Sequence, residues 1–297
     1  MKNSIQYICL LSLFLLGYSL NAQDALTVND LNFNKASFNS AFIISDAPVN
    51  VSLTTSLGPG VQNTRRLNFL AYGNIKKLGI GIGARVNSKF YGLYNVNTAE
   101  LLYAKELKVN DHSNFYAGLN FGVHFADLNE NELNQHVDYE DPFILNNELP
   151  QYRFMFGLGF GYTRHDRLKV GFSLPTLMKT NNDFYPLFVL NTSYKFDLFT
   201  GSDQHMAGNE ISIEPEMMLY GTNLLPLTFE GSVKVHYTEE FWVKAGGRTT
   251  KSLLFGFGWH KPFVHMGYVY NANMKEYAQI NPGVHNINVH FLLGKKK

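Results

Sequence analysis

Cysteine is nearly missing from this sequence of 297 residues, which has one, Cys9. It sits in an apolar segment near the N-terminus with no lipobox before a cleavage point, which argues against a lipoprotein. Beyond that segment there is no thiol, so disulfides, thiolate catalysis and cysteine-ligated metals are excluded together. Charge is scarce as well: charged residues make up 16% and the formal net charge is +1. That balance gives no electrostatic footprint for nucleic acid. No apolar run reaches the roughly 20 residues of a membrane-spanning helix, and a mean hydropathy of -0.14 is too polar for a helical membrane protein. Tryptophan is rare too, at two residues, yet aromatics reach 14%, carried by 24 Phe and 17 Tyr. A porin-like barrel, half polar by construction, has such a composition.

Residues 1–22 read as a signal peptide. Lys2 provides the positive start, Ile8 to Leu16 the apolar core, and Ala22 before Gln23 a small-residue cleavage position, with Leu20 larger than usual at the third place before the cut. Residues 23–47 show no sustained period and read as an N-terminal periplasmic extension, with at most one short helix or strand. Residues 48–297 form the main domain.

The clearest pattern in that domain is LPLTFEGSVKVHY, Leu225 to Tyr237. Leu225, Leu227, Phe229, Val233, Val235 and Tyr237 share one parity; Thr228, Glu230, Ser232, Lys234 and His236 share the other. Period two over this length predicts an extended strand with an oily face and a wet one. From Val49 onward the alternation recurs in about 14 segments, a number within the range of outer-membrane barrels. One puts Leu78, Ile80, Ile82, Ala84 and Val86 against Gly79, Gly81, Gly83 and Arg85; another puts Phe154, Phe156, Leu158 and Phe160 against Gly157, Gly159 and Gly161. Leu93 to Lys108 is long, and its facing is ambiguous; the segment from Leu168 is predicted to stop at Pro175.

Nearly every oily face carries Phe or Tyr, while the opposite faces carry Gly, Ser, Asn and charges. A soluble sandwich would have to hide all that aromatic surface and protect its edges. In lipid, the backbone must close its hydrogen bonds on itself, and a closed barrel does so. The predicted fold is therefore all-β: a transmembrane antiparallel up-and-down β-barrel of about 14 strands, with 12 or 16 as the neighbouring possibilities. With a periplasmic N-terminus, the predicted inner connections are tight (Ile75 to Lys77, Asn110 to His112, His165 to Arg167, Thr238 to Glu240, Lys261 to Pro262), Thr200 to Gly208 excepted. The outer ones include the long Asp127 to Pro150, Thr176 to Asp183 and Ala272 to Pro282.

Several residues invite a chemical reading. The glycines at spacing two lie inside strands with no helix to follow, so they are not a dinucleotide loop; they let a neighbouring strand or a lumen plug come close. His112, His124, His136 and His165 are scattered, with no pair at metal-ligand spacing. Glu210, Glu214, Glu216, Glu230, Lys195, Lys234 and Arg248 are predicted to face the lumen, as a solvated or salt-bridged interior or, alternatively, as a solute-selective pore lining. Asp127 to Pro150 carries seven carboxylates and no Lys or Arg, without an EF-hand spacing; it reads as a solvated outer loop. Ser173 lacks a nucleophile-elbow context. No catalytic, cofactor-binding or metal residues are assigned, and no enzyme activity is expected.

The ordered pieces LGIGIGARVNSKFYGLYNVNTAELLYAKEL (Leu78 to Leu107), FYAGLNFGVHFADLN (Phe115 to Asn129) and DPFILNNELPQYRFMFGLGFGYTRHDRLKVGFSLPTLM (Asp141 to Met178) carry a family resemblance. The last contains a GxSxP ending at Gly171, Ser173 and Pro175. FWVKAGGR (Phe241 to Arg248) and GVHNINVHFLL (Gly283 to Leu293) extend it to the closing strand. The chain resembles the PorP/SprF family of outer-membrane proteins associated with the type IX secretion system of Bacteroidota. It departs from that pattern near its start. Family members open with a DPQFxQY-like segment and an NPAYAG-like turn, to which Asn29 to Asn34 and Asn39 to Ala47 are only loosely comparable; if that segment docks partners in the family, docking here is altered. The resemblance implies an outer-membrane location in a Gram-negative bacterium and a role in secretion or gliding. It also implies partners: outer-membrane lipid, periplasmic ring or peptidoglycan-linked components, and a secreted adhesin or its C-terminal domain. The residue pattern alone leaves a diffusion channel or hydrophobic-solute transporter as the alternative.

Overall fold

In the computed structural model, the described residues are 33–45, 47–58, 64–91, 94–128, 151–177, 179–180, 183–184, 186–199, 211–222, 227–238, 240–274 and 283–294. The signal peptide, the 129–150 acidic connection, Glu210, His136, the 200–208 connection and Lys295 to Lys297 lie outside them.

The chain is a closed antiparallel barrel of 14 strands. They are β1 Val49–Gly58, β2 Thr64–Ile75, β3 Ile80–Tyr91, β4 Tyr94–Asn110, β5 Ser113–Leu128, β6 Gln151–Arg164 and β7 Leu168–Leu177. Next comes β8, in two pieces, Leu187–Tyr194 and Phe196–Phe199, interrupted at Lys195. The second half is β9 Ile211–Gly221, β10 Thr228–Tyr237, β11 Phe241–Arg248, β12 Ser252–Lys261, β13 Val264–Asn273 and β14 Gly283–Leu293. Each strand pairs with the next in sequence, and β1 pairs with β14 to shut the ring, Val49 opposite Leu293 and Leu57 opposite His285.

Both termini of the barrel therefore meet at one rim. The turns fully described at that rim are short, as the sequence predicts: a single 3-10 turn Lys76–Leu78, then Asp111 and His112, His165 to Arg167, and Pro262 with Phe263. Consecutive left-handed backbone at His165 (φ 53) and Asp166 (φ 54) matches the twist of the hairpin it closes.

The oily parity faces lipid. Leu101 is 68% exposed and Phe154 76%, values that a water-soluble protein would not sustain along strand after strand. Rings pair across strands on this outer surface, Phe121 with Phe154, Phe115 with Phe160, and Phe241 with Trp259. The other parity is buried, as Asn68, Asn120 and Glu230 illustrate.

Three expectations need correcting. The 225–237 strand begins at Thr228, so its regular part is three residues shorter than its alternation. Pro175 does not end its strand: β7 runs on to Leu177 through a bulge, one extra residue against both β6 and β8. A bulge tolerates a residue with no N–H to give the ladder. The third correction is the largest. Residues 33–45, expected as part of a periplasmic extension, lie inside the barrel, with Ala36, Asn39, Ala41 and Ile43 fully buried.

Candidate functional site: the plugged lumen

The plug is built from two short 3-10 turns, Lys35–Ser37 and Ser40–Ile43, each preceded by an asparagine. The Asn34 side-chain oxygen accepts from the Ala36 N–H at 2.9 Å and that of Asn39 from the Ala41 N–H at 3.0 Å. These caps satisfy backbone donors that so short a helix cannot pair for itself. Between the caps the chain places small residues against the wall and large ones into its gaps.

The wall is cut to receive it. A Cβ on Gly118 would come within 2.3 Å of the Ala41 nitrogen, and one on Gly159 within 2.2 Å of Asn39 Oδ1. The glycine spacing read from the sequence is in part the floor under this plug. Gly171 of the GxSxP motif belongs to the same floor, beneath Asn39 and Phe42, while Ser173 is fully buried and the Pro175 carbonyl accepts from Asn120. Apolar side chains do the rest. Ala36 and Ile43 pack with Leu70, Tyr72, Leu102 and Ala104; Phe38 packs with Val189, Met218 and Tyr220; Phe33 packs with Trp242, Leu254 and Val269.

Polar wall residues hold the plug by its main chain. Asn39 reaches back the other way: its Nδ2 donates to the carbonyls of Phe160 on β6 (2.9 Å) and Phe172 on β7 (3.3 Å). Arg85 Nη1 donates to the Ser37 carbonyl at 2.5 Å, while its Nε and Nη2 grip both oxygens of Glu100 at 3.0 and 2.5 Å. Asn120 adds a bond to Glu100 at 2.6 Å, so the carboxylate is shared between a cation and an amide. Nearer the rim, Asn50 and Asn74 donate to the Ala47 carbonyl, each at 3.1 Å, and Asn74 also to that of Ser45.

The charged lumen predicted from the sequence is a paired one. Glu216 takes both Lys234 (3.2 Å) and Lys244 (2.6 Å); Glu230 takes Arg248 (2.7 Å); Glu214 meets His236 (3.1 Å). Such pairs offset the cost of holding charge away from bulk water. The plug adds a cation of its own, since Lys35 donates to Ser193 at 2.6 Å beside this cluster. Burial pulls its ammonium from 10.5 down to about 8, against the opposing pull of Glu216. Lys35, Asn191, Glu216 and Lys244 help line a cavity of about 30 Å³, room for a water.

Of the residues singled out from sequence, Glu214, Glu216, Glu230, Lys234 and Arg248 come together on the lumen face, and Lys195 stands at the break in β8, its N–H on the Arg167 carbonyl. Sequence reasoning missed Lys35, Asn39, Arg85, Glu100, Asn120 and Lys244. One pair among these was recoverable: the antiparallel register of β3 and β4 sets Arg85 opposite Glu100. His112 and His165, scattered in the sequence, meet at the termini rim with their rings stacked at 4.6 Å, while His124 lies elsewhere on β5. Among the described residues, no group of three or more His, Asp or Glu is placed to hold a metal.

The geometry is that of a barrel occupied by its own chain, with lumen carboxylates paired to cations. Several solved structures are similar to it at low identity. Omp33 of Acinetobacter baumannii shares 8% identity at a TM-score of 0.49, covering 83% of this chain and 98% of that one. The P. putida toluene transporter TodX shares 9% at 0.46, covering 87% and 93%. BamA from Haemophilus ducreyi lacking POTRA domains 1–3 shares 12% at 0.45, covering 82% and 70%. A comparison with curated proteins found no match. The family model for the type IX secretion system membrane protein PorP/SprF matches residues 20–291, both the strands and the segment that fills them. The chain therefore belongs to the PorP/SprF family of type IX secretion system membrane proteins and resides in the outer membrane.

Proposed function

We propose that this protein is a non-enzymatic partner of the type IX secretion and gliding machinery, anchoring a large surface adhesin or helping to export it. The observation that carries the reading is the filled lumen. A barrel whose interior is occupied by its own chain, with glycines cut to fit and charges paired across strands, is built as a rigid scaffold more than as a conduit. Its exposed rims are then the working surfaces. The rim of tight turns serves periplasmic ring or peptidoglycan-linked components, and the opposite rim serves the adhesin or its C-terminal domain.

Deletion of the gene tests this directly. The expected result is one large surface protein found in the medium or stranded in the periplasm; unchanged display of every surface protein removes the proposal. The competing reading, a diffusion channel or hydrophobic-solute transporter, is tested in planar bilayers. The plugged protein is expected to give no stepwise conductance, and steady large-conductance openings would favour the channel instead.

A further inference from the structure

Above the Arg85–Glu100 pair, towards the rim opposite the termini, one sector of the lumen wall changes character. A single rung crosses five strands there: Asn68 on β2, Asn87 on β3, Thr98 on β4, His124 on β5 and Arg153 on β6, each directly opposite the next. Arg66 and Lys89, also opposite each other, stand one step nearer the mouth. Lys89 and Arg153 both lie within electrostatic reach of His124, and Arg66 donates to Asn87 at 3.2 Å. What sets the sector apart is its sign. Deeper in the lumen, carboxylates accompany the cations: Glu100 with Arg85, Glu216 with Lys234 and Lys244, and Glu230 with Arg248. From the rung to the mouth, the lumen-facing parity of β2 to β6 carries Arg66, Lys89 and Arg153 and, among the described residues, no Asp or Glu. Asp127 falls on the lipid-facing parity, opposite Asn95.

The sector is also accessible. Lys89, His124 and Arg153 are half-buried, and only Arg66 of the four is buried. Like charges on a concave wall of low dielectric add their fields and draw in an anion that none would hold alone. Guanidinium groups grip carboxylates through two parallel bonds. Carboxamides and hydroxyls, here Asn68, Asn87 and Thr98, donate and accept without charge, which suits the N–H and C=O of a main chain. Five strands at their usual spacing make the rung about 19 Å long, the length of about six extended residues. Lipid phosphates are on the wrong side of the wall, since these residues face the lumen. Of the polyanions that enter by the mouth, an acidic polypeptide suits a member of a secretion-system family and matches the rung's mixture of cations and uncharged amides.

We propose that Arg66, Lys89 and Arg153, grouped around His124, form a receiving site for an acidic, extended segment of an exported polypeptide. Its carboxylates meet the three cations, and its main chain runs along the rung of Asn68, Asn87 and Thr98. The proposal rests on the reading of this rim as the working surface for a secreted protein, and it gives that surface its chemistry.

Fluorescence polarisation of labelled deca-glutamate, added to the full chain purified in detergent, tests it. Saturable binding that weakens as salt rises is expected, and labelled deca-lysine should not bind. Lys89→Gln combined with Arg153→Gln should raise the Kd about ten-fold, for the loss of charge-assisted contacts. Lys76→Gln with Lys77→Gln, at the rim of the termini, should leave it unchanged. Heat-modifiable gel mobility checks that each variant has folded; if the double variant fails that check, Lys89→Gln alone carries the test, with a Kd raised about three-fold. Unlabelled oligogalacturonate of equal length is the competitor from the other class of polyanion. No binding of deca-glutamate, a Kd indifferent to Lys89 and Arg153, or displacement by oligogalacturonate more readily than by unlabelled deca-glutamate overturns the proposal, the last giving the sector to an acidic glycan. None of these results touches the scaffold role, which is judged by surface display in the deletion strain.

Discussion

Asn39 does more than any other single side chain to fix the plug, because one amide both caps a turn and ties two strands to it. Asn39→Ala is expected to weaken plug docking by about 2–4 kcal/mol, the sum of a lost cap and two lost bonds. Phe33 rests on Trp242, so the emission of Trp242 in a Trp259→Phe background reports the change. Gly159→Val should act more severely, since its side chain takes the place of Asn39 Oδ1. The barrel is expected to stay heat-modifiable while conductance appears in planar bilayers. Gly247→Ala is the control, its nearest neighbour standing 3.6 Å from the added carbon. Lys35 supplies a pH test. Its folded pKa, about 8, lies below the unfolded 10.5, so docking releases a proton between those values. The plug then holds more tightly as pH rises through that window and is insensitive below it. The denaturant midpoint of Trp242 emission should climb from pH 8 towards 10.5, and Lys35→Met should flatten the slope.

Among the strands, β9, β10 and β11 are joined by charge as well as by their ladder, for Glu216 on β9 serves Lys234 on β10 and Lys244 on β11 together. Glu216→Gln leaves two buried ammoniums facing each other and is expected to cost roughly 3–5 kcal/mol, while removing Lys234 alone costs less. The temperature at which the folded band is lost on gels measures both. The same strands show what a sequence can and cannot tell. Period two was legible wherever the lumen face is polar, as with Glu230, Ser232 and Lys234 on β10. It blurred on β4, where Leu101 (68% exposed) and Leu102 (2%) are neighbours and both apolar. The reason is physical: Leu102 is oily because it packs on the plug, so two apolar faces erase the alternation. The plug itself had no signal of its own, since 3-10 turns of three and four residues are too short to set up a period. Its trace in the sequence was indirect, in glycines on a wet face that had no helix to serve.

At the scale of the whole molecule, the ring of strands and the segment within it make one object. If that is right, unboiled protein runs faster than boiled, with a β-type spectrum in detergent, and removing residues 33–45 lowers the melting point of the entire ring. A barrel with an independent extension would lose nothing. The plug passes through Ser45, Ala47 and Pro48 straight into β1, with Asn50 and Asn74 gripping the passage. So short a tether keeps a freed plug at an effective concentration on the order of millimolar. Undocking is then a brief excursion that reverses without a second molecule, at a rate that dilution does not change. A loose peptide of the same residues has to reach about millimolar levels before it can take the seat.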